Sequence, residues 1–387
     1  MINPNEALNL IQGLIVPQNV QKIAIQDALG LILAEDLRAD RDFPPFNRAM
    51  MDGIAIKNTA FKKWPIQDIA FAGQSQKQLG HSNAAIEIMT GAPVPIDCSS
   101  IIKIEDIVFV DIAGEKWAEY VGKDLLNPGQ FVHAQASDCK QNDPILSSGT
   151  KIGPVEIAIA ATIGKSELSV FKKPAIAIFS TGDEIVGIHE KPQAHQIRSS
   201  NSVMLESVLK SHGFSTTVAH MKDEKSVVAK SLESALEKHE ILLLSGGVSA
   251  GKKDFIPEVL AELGFKPLFH KISQKPGKPL YVGNRADGKL VFAFPGNPIS
   301  TLTCFWIYFL PWLLGNKLIQ STIPVVNLPA SNPKLDQWLP VKIKGGQAET
   351  LKNNGSGDLF HWKFADGLVW QKARSTDQSL PFFPLRS

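Results

Sequence analysis

Read for hydrophobic spacing, the chain changes character at about residue 174. From there PAIAIFST is a compact apolar run of strand length, and NSVMLESVLKSHG puts Val203, Leu205, Val208 and Leu209 on one helical face that Gly213 closes. TTVAH, a charged helix over 223–238, the strand ILLLS, a helix over 254–263 and the strand LVFAF follow in alternation up to Phe294. Apolar strands alternating with helices predict a doubly wound, mostly parallel sheet covered on both faces. Ligands of such sheets sit beyond the carboxyl ends of the strands, so the loops after Ile178, Leu244 and Phe294 are the places to search.

Upstream, helical patterns at 5–33 and 153–163 flank short β-rich segments with Gly and Pro punctuation between about 52 and 131. Downstream of Asn316, short alternating runs such as LPVKIK and ADGLVW, separated by turns like NNGSGD, predict a small β-barrel. The class is therefore α/β and multidomain, as 387 residues exceed what one core usually holds. We expect a discontinuous helical hinge (1–45 and 136–172), a β-rich insert (46–135), the α/β domain (173–317) and the barrel (318–387). The apolar stretch 299–314 is too short to span a bilayer and is bounded or broken by Pro298 and Pro311, which predicts a buried helix.

Composition narrows the partners. A net charge of +2, from 40 basic and 38 acidic residues, predicts neither a nucleic-acid binder nor a membrane-surface protein, so any anion site must be local. Cys98, Cys139 and Cys304 form no CxxC pair, which argues against a disulfide framework or a zinc site and for a reducing compartment. MINPNEALNLIQGLI reads as an amphipathic helix rather than a secretion signal, and a cytoplasmic location is expected. The nine histidines show no HExxH and no GxSxG elbow occurs, so zinc hydrolysis and serine acyl transfer lack support.

Candidate chemistry lies in the loops. SGGVSAGKKD (245–254) leaves a strand and enters a helix, so Ser245, Gly246, Gly247, Ser249 and Gly251 can face an anion. It nearly spells a nucleotide-binding P-loop, but Lys253 stands where a magnesium-holding Ser or Thr is needed. STGDEI (180–185) sets Asp183 and Glu184 side by side as hard oxygen donors, although a solvated turn has the same composition. KISQKPGKP brings Lys271, Lys275 and Lys278 together as a cradle for an oxyanion or phosphate. In FPGNP, Pro295 and Pro298 frame a rigid turn that opens a helix, and MDGIA and IMTGAPVP each offer one polar side chain, Asp52 and Thr90.

In their order PPFNRAMMDGIA, IMTGAPVP, STGDEI, LLLSGGVSAGKKDF, KPGKP and FPGNPIS, the chain resembles the molybdopterin molybdenumtransferase (MoeA) family, which is related to the gephyrin E domain, over about residues 5–315; GSGD and ADGLV extend the likeness into the tail. The resemblance implies a central domain of molybdopterin-binding type and a homodimer with the cleft shared between subunits. It implies a substrate, adenylylated molybdopterin, into which molybdate is inserted with release of AMP, assisted by magnesium or a similar divalent ion. The molybdopterin adenylyltransferase and apo-molybdoenzymes would be its partners. It assigns Asp52, Thr90, Asp138, Glu184, Asp254 and Lys275 to catalysis, and Asp183, Glu184 and Asp254 to the metal. Substrate binding falls to Ser245, Gly246, Gly247, Ser249, Gly251, Lys271, Lys278, Pro295 and Pro298, with Asp223 as a further carboxylate.

The chain also departs from that pattern. HAQASD (133–138) stands where the family has an arginine-rich stretch and keeps only Asp138. Glu87 replaces an arginine, and Arg198 and Ser199 replace a Tyr-Asp pair, while Arg48, Lys103, Lys252 and Lys253 add positive charge. A second expectation follows from these changes: a non-catalytic paralogue that binds pterin or acts as a scaffold.

Overall fold

The computed structural model describes residues 1–248, 255–315 and 321–385. They form two compact units, one of Val20–Phe171 and one of Met1–Asn19 with Lys172–Ser387.

The larger unit opens with α1 (Pro4–Gln12), started by Pro4 and a reciprocal Asn3–Glu6 capping box, whose Ala7, Leu8 and Ile11 are buried. The alternation after residue 174 becomes β1 (Ile176–Thr181), α2 (Ser200–Ser211), β2 (Thr216–Met221), α3 (Lys225–Leu236), β3 (Ile241–Ser245), α4 (Ile256–Glu262), β4 (Lys266–His270), β5 (Tyr281–Asn284), β6 (Leu290–Phe294) and α5 (Pro298–Cys304). The sheet order is β2-β1-β3-β6-β5-β4. The first four strands are parallel and the last two run antiparallel to their neighbours.

Every residue of β1, β3 and β6 is buried. Ile176, Ile178, Ile241 and Leu243 pack against α1 and α2, whereas Ala177, Phe179, Leu242 and Leu244 pack against α3 and α4. The expected cover on both faces fails at β2, whose first five residues are not buried. TTVAH lies at the sheet edge and carries few apolar groups to bury. On α2, Leu205 and Leu209 are buried as expected, but Val203 is exposed.

Residues 299–314 form the expected buried helix, continued past α5 through one π-turn at Phe305–Phe309 to Leu310–Leu313. Pro311 has no N–H to close the ordinary bond to residue 307, which accounts for the local widening. Among the described residues no helix is long and apolar enough to cross a membrane.

The tail is a closed five-stranded barrel of Ser321–Val326, Asp336–Lys344, Gln347–Thr350, Gly367–Gln371 and Ser379–Pro384, closed by the pairing of Asp336–Lys344 with Gly367–Gln371. Its Trp338, Trp370 and Phe383 belong to the same apolar cluster as Phe292, Phe305 and Phe309, so barrel and sheet share a core.

In the smaller unit, Gly53–Ile56 is the second strand of a mixed six-stranded sheet and is antiparallel to both of its neighbours, so the β-rich reading of the segments between about 52 and 131 holds. The helical reading of 5–33 holds only for α1: Asn19–Ala24 and Ile32–Leu33 are strands in a sheet with Glu167–Lys172. Gly13 and Pro17 stop the helix, and Gln21, Ile23 and Ile25 then follow a period of two. The second helical pattern is borne out as Pro154–Thr162.

All three cysteines are free thiols. Burial pushes Cys98 up to about 11 and raises Cys304, while Cys139 is raised by partial burial and then by Asp143, Asp138 and Asp42. A raised thiol pKa empties the reactive thiolate at neutral pH. We expect a disulfide reagent at pH 8 to modify Cys139 slowly and the other two only after denaturation; fast release of all three from native protein would contradict this.

Candidate active site

The carboxyl ends of β1, β3 and β6 stand side by side, with Ser180 paired to Ser245 and Ser245 to Phe294. Beyond them opens a cavity of about 800 Å3, within the range of small-molecule sites. Its wall includes Ser180, Thr181, Gly182 and Glu184 after β1, Ser245, Gly246 and Gly247 after β3, and Pro295, Gly296, Asn297 and Pro298 after β6. The three loops singled out by strand order thus form one site, where the chain reverses direction across the sheet.

Two elements from beyond the sheet add to the wall. Gln274–Lys275 adds a short parallel strand to the barrel edge at Asp336–Gln337, which brings Lys275, Pro276, Gly277, Lys278 and Pro279 to the cavity. Fully buried Gln274 holds that loop: its Nε2 donates to the carbonyls of Pro276 (3.0 Å) and Gly277 (3.4 Å), and its Oε1 accepts from Trp338 Nε1 (3.0 Å) and from the Tyr308 hydroxyl. The barrel turn NNGSGD closes the other side. Ser356 accepts from Asn297 Nδ2 (2.8 Å) through its hydroxyl and from the Ile299 amide (3.0 Å) through its carbonyl.

Asn201, at the start of α2, ties the strand ends together. Its Nδ2 donates to Ser245 Oγ (2.8 Å), the Gly296 carbonyl (2.8 Å) and Thr301 Oγ1 (3.1 Å). At φ +103°, Gly246 is in a conformation side chains rarely adopt, and a Cβ there would sit 2.7 Å from Thr181 Oγ1 and 2.9 Å from the Thr181 carbonyl oxygen.

The wall carries Lys275, Lys278 and Arg198 as cations and Glu184 and Asp223 as anions. That mixture suits an anionic ligand accompanied by a cation. Asp183 does not line the cavity, because neighbouring residues of the loop point apart; its carboxylate instead accepts the Asp223 backbone N–H (3.4 Å). Lys271 also lies outside, in a positive-φ turn whose amide donates to Leu280 O and whose carbonyl accepts from the Ile2 amide. Ser249, Gly251 and Asp254, with Lys252 and Lys253, fall outside the described residues. Among the described residues no three His, Cys, Asp or Glu side chains converge to hold a metal. The two carboxylates on the wall are nonetheless hard oxygen donors of the kind magnesium takes with few protein ligands and several waters.

Asp52, Thr90 and Asp138 belong to the smaller unit. Asp52 Oδ1 accepts from Thr90 Oγ1 (2.7 Å) and the Thr90 amide (2.6 Å), and these bonds hold its carboxyl below the usual carboxylate range. In the substituted HAQASD segment, Arg48 Nη2 approaches His133 Nδ1 (3.1 Å), and His133 Nε2 lies 2.8 Å from Asp138 Oδ1. A guanidinium only donates, so Nδ1 is the acceptor and the ring proton on Nε2 points at Asp138. Glu87 is offset by Lys116 at 2.5 Å. Asn201, Gln274, Asn297 and Ser356 all sit within strings singled out by sequence, but none was itself a candidate, because a neutral amide or hydroxyl carries no charge or motif signal of its own.

Comparison with known proteins agrees with this architecture. Residues 2–164 match the model of the MoeA N-terminal region (domain I and II), and residues 177–315 match a probable molybdopterin binding domain. A molybdopterin molybdenumtransferase of Synechocystis sp. is 36% identical, covering 99% of this chain and 100% of its own length. One from Staphylococcus epidermidis is 30% identical over 82% of this chain and 76% of its own. The crystal structure of a molybdopterin biosynthesis moea protein from Pyrococcus horikosii superposes with a TM-score of 0.81 at 26% identity, covering 100% of both chains. With identity at this level along nearly the whole chain and the same fold throughout, the chain belongs to the molybdopterin molybdenumtransferase family.

Proposed function

We propose that the protein completes the molybdenum cofactor: it binds adenylylated molybdopterin, inserts molybdate at the pterin dithiolene and releases AMP. One observation carries the reading. Three strand-end loops and the KPGKP loop face a single cavity that holds two lysines, an arginine and two carboxylates. A phosphoanhydride beside a tetrahedral oxyanion is what such a wall would bind.

In this reading Lys275 and Lys278 hold the anionic oxygens, and the Ser245–Gly247 turn offers a hydroxyl and backbone N–H groups to the phosphates. Pro295 and Pro298 keep the third loop rigid, and the barrel turn excludes water from that side. Glu184 and Asp223, with Asp183 beside them and with Asp254 added by family resemblance, would hold magnesium or a similar divalent ion, which when bound supplies charge neutralisation and polarises a phosphoryl oxygen. Asp52, Thr90 and Asp138 would enter the cleft from a second subunit of a homodimer, a part of the proposal that rests on family resemblance. On the same footing we propose the four-module division of the chain, a cytoplasmic location, and exchange with the molybdopterin adenylyltransferase and apo-molybdoenzymes.

The test is a purified assay with adenylylated molybdopterin, molybdate and magnesium, following AMP release and activation of an apo-enzyme. Lys275→Ala is expected to raise KM at least tenfold, since a hydrogen bond to a charged group is worth about 1.5–3 kcal/mol. Pterin binding without AMP release would favour the scaffold. Phosphate release from ATP, lost on changing Lys252, would favour a P-loop instead.

A further inference from the structure

We propose that His220 is a positioning residue that acts through Ser180 on the anion held in the cavity; this rests on the function proposed above and deepens it. The in-register pairing of β2 with β1 and of β1 with β3 sets His220, Ser180 and Ser245 in one row at the carboxyl edge of the sheet. Alternation along the strands puts that row on the face that Ile178 and Leu243 share with α2. Ser180 is 5% exposed and lines the cavity, and its Oγ lies 3.1 Å from His220 Nδ1. His220 does not line the cavity, so any effect it has on a ligand passes through the serine.

The Ser180–His220 bond can run in two directions. If the hydroxyl donates to Nδ1, the lone pairs of the serine oxygen are turned to the cavity and repel an anion. If Nδ1–H donates to Oγ, the hydroxyl proton is released toward the cavity. An anion binds the second arrangement more tightly, so its arrival selects the tautomer with the proton on Nδ1. Ser245 is prepared in the same way: its Oγ accepts from Asn201 Nδ2 at 2.8 Å, which leaves its own proton to donate. The row then presents two hydroxyl donors to an anionic oxygen held by Lys275 and Lys278.

His220 is exposed on an edge strand, so replacing it should cost little stability. Steady-state kinetics with adenylylated molybdopterin and calorimetric titration with AMP test the idea on His220→Leu, His220→Asn, Ser180→Ala and the Ser180→Ala/His220→Leu double variant. His220→Leu is expected to raise KM and the AMP Kd about tenfold, the value of one hydrogen bond to a charged group, with kcat little changed. His220→Asn, whose amide nitrogen can occupy the Nδ1 position, should restore most of the loss. His220→Leu should add nothing to Ser180→Ala. An active wild type whose His220→Leu variant keeps normal KM and Kd, or whose two single losses add in full, overturns the role of His220 alone. A wild type that neither turns over nor binds AMP overturns the proposed function and this inference with it.

Discussion

Replacing Gln274 by Leu is expected to lower the stability of the larger unit by about 3–5 kcal/mol, because each buried polar group left without a partner costs about 1–3 kcal/mol. The side chain is fully buried, and it bonds the Tyr308 hydroxyl and the Trp338 indole N–H, both on buried residues, as well as two carbonyls of the loop. Leu would leave the Tyr308 hydroxyl, the Trp338 indole N–H and the Pro276 carbonyl without their present partner. The loss should be read as a fall in Tm of about 10 °C, at roughly 2–4 °C per kcal/mol for a unit of this size. The same variant should raise KM, because the loop that carries Lys275 and Lys278 loses its anchor. A Gln274→Leu protein with wild-type Tm would show that the buried network contributes little and that the loop is held by its prolines and its pairing to the barrel.

The second large effect concerns Gly246. Gly246→Ala should reduce kcat/KM by about 100-fold, since a displacement of about 1 Å at a reacting centre can cost that much. The new Cβ would lie within 3 Å of both the Thr181 hydroxyl and the Thr181 carbonyl, and the backbone of β1 cannot yield as a flexible side chain can. Residue 246 must also keep φ at +103°, a region that costs a non-glycine residue about 1–3 kcal/mol. The ends of β1 and β3 would separate at the point where the pterin nucleotide is proposed to lie. AMP release by Gly246→Ala within twofold of the wild type would place the reacting groups elsewhere. Comparing Gly246→Ala with Lys275→Ala separates geometry from charge: the first should depress kcat, the second chiefly KM.

The changes from the family pattern have local answers that reduce the weight of the scaffold reading. His133 occupies a position expected to be basic, and its ring is fixed between Arg48 and Asp138. Glu87, which reverses a charge, is met by Lys116 from the neighbouring region of the same unit. Arg198, in place of a tyrosine, lines the cavity and adds a cation there.

The spacing of apolar residues determined a great deal. The apolar runs that open β1 and β3 and fill β6, with the helices between them, dictate a parallel sheet, and strand polarity then places the site at the carboxyl ends. The motif strings STGDEI, SGGV, KPGKP and FPGNP named most of the wall because each is a local departure from regular structure, and local chemistry is written in local sequence. Hydrophobic period misled at residues 19–33, where a short apolar run fits strand or helix equally well and the choice was made by pairing with Glu167–Lys172, well over a hundred residues away.

What only the tertiary structure decided is how distant segments meet. Pattern alone gave no sign that Gln274–Lys275 would pair with Asp336–Gln337, that Trp338 would satisfy a glutamine 64 residues earlier, or that barrel and sheet would share one core. Nor could it separate Asp183 from Glu184, which adjacent positions make chemically equal and loop direction makes different. The sequence specifies which groups can bind an anion because composition and local backbone set that chemistry. Which of them share a cavity depends on long-range packing, where loop closure and burial of the whole core outweigh any local preference.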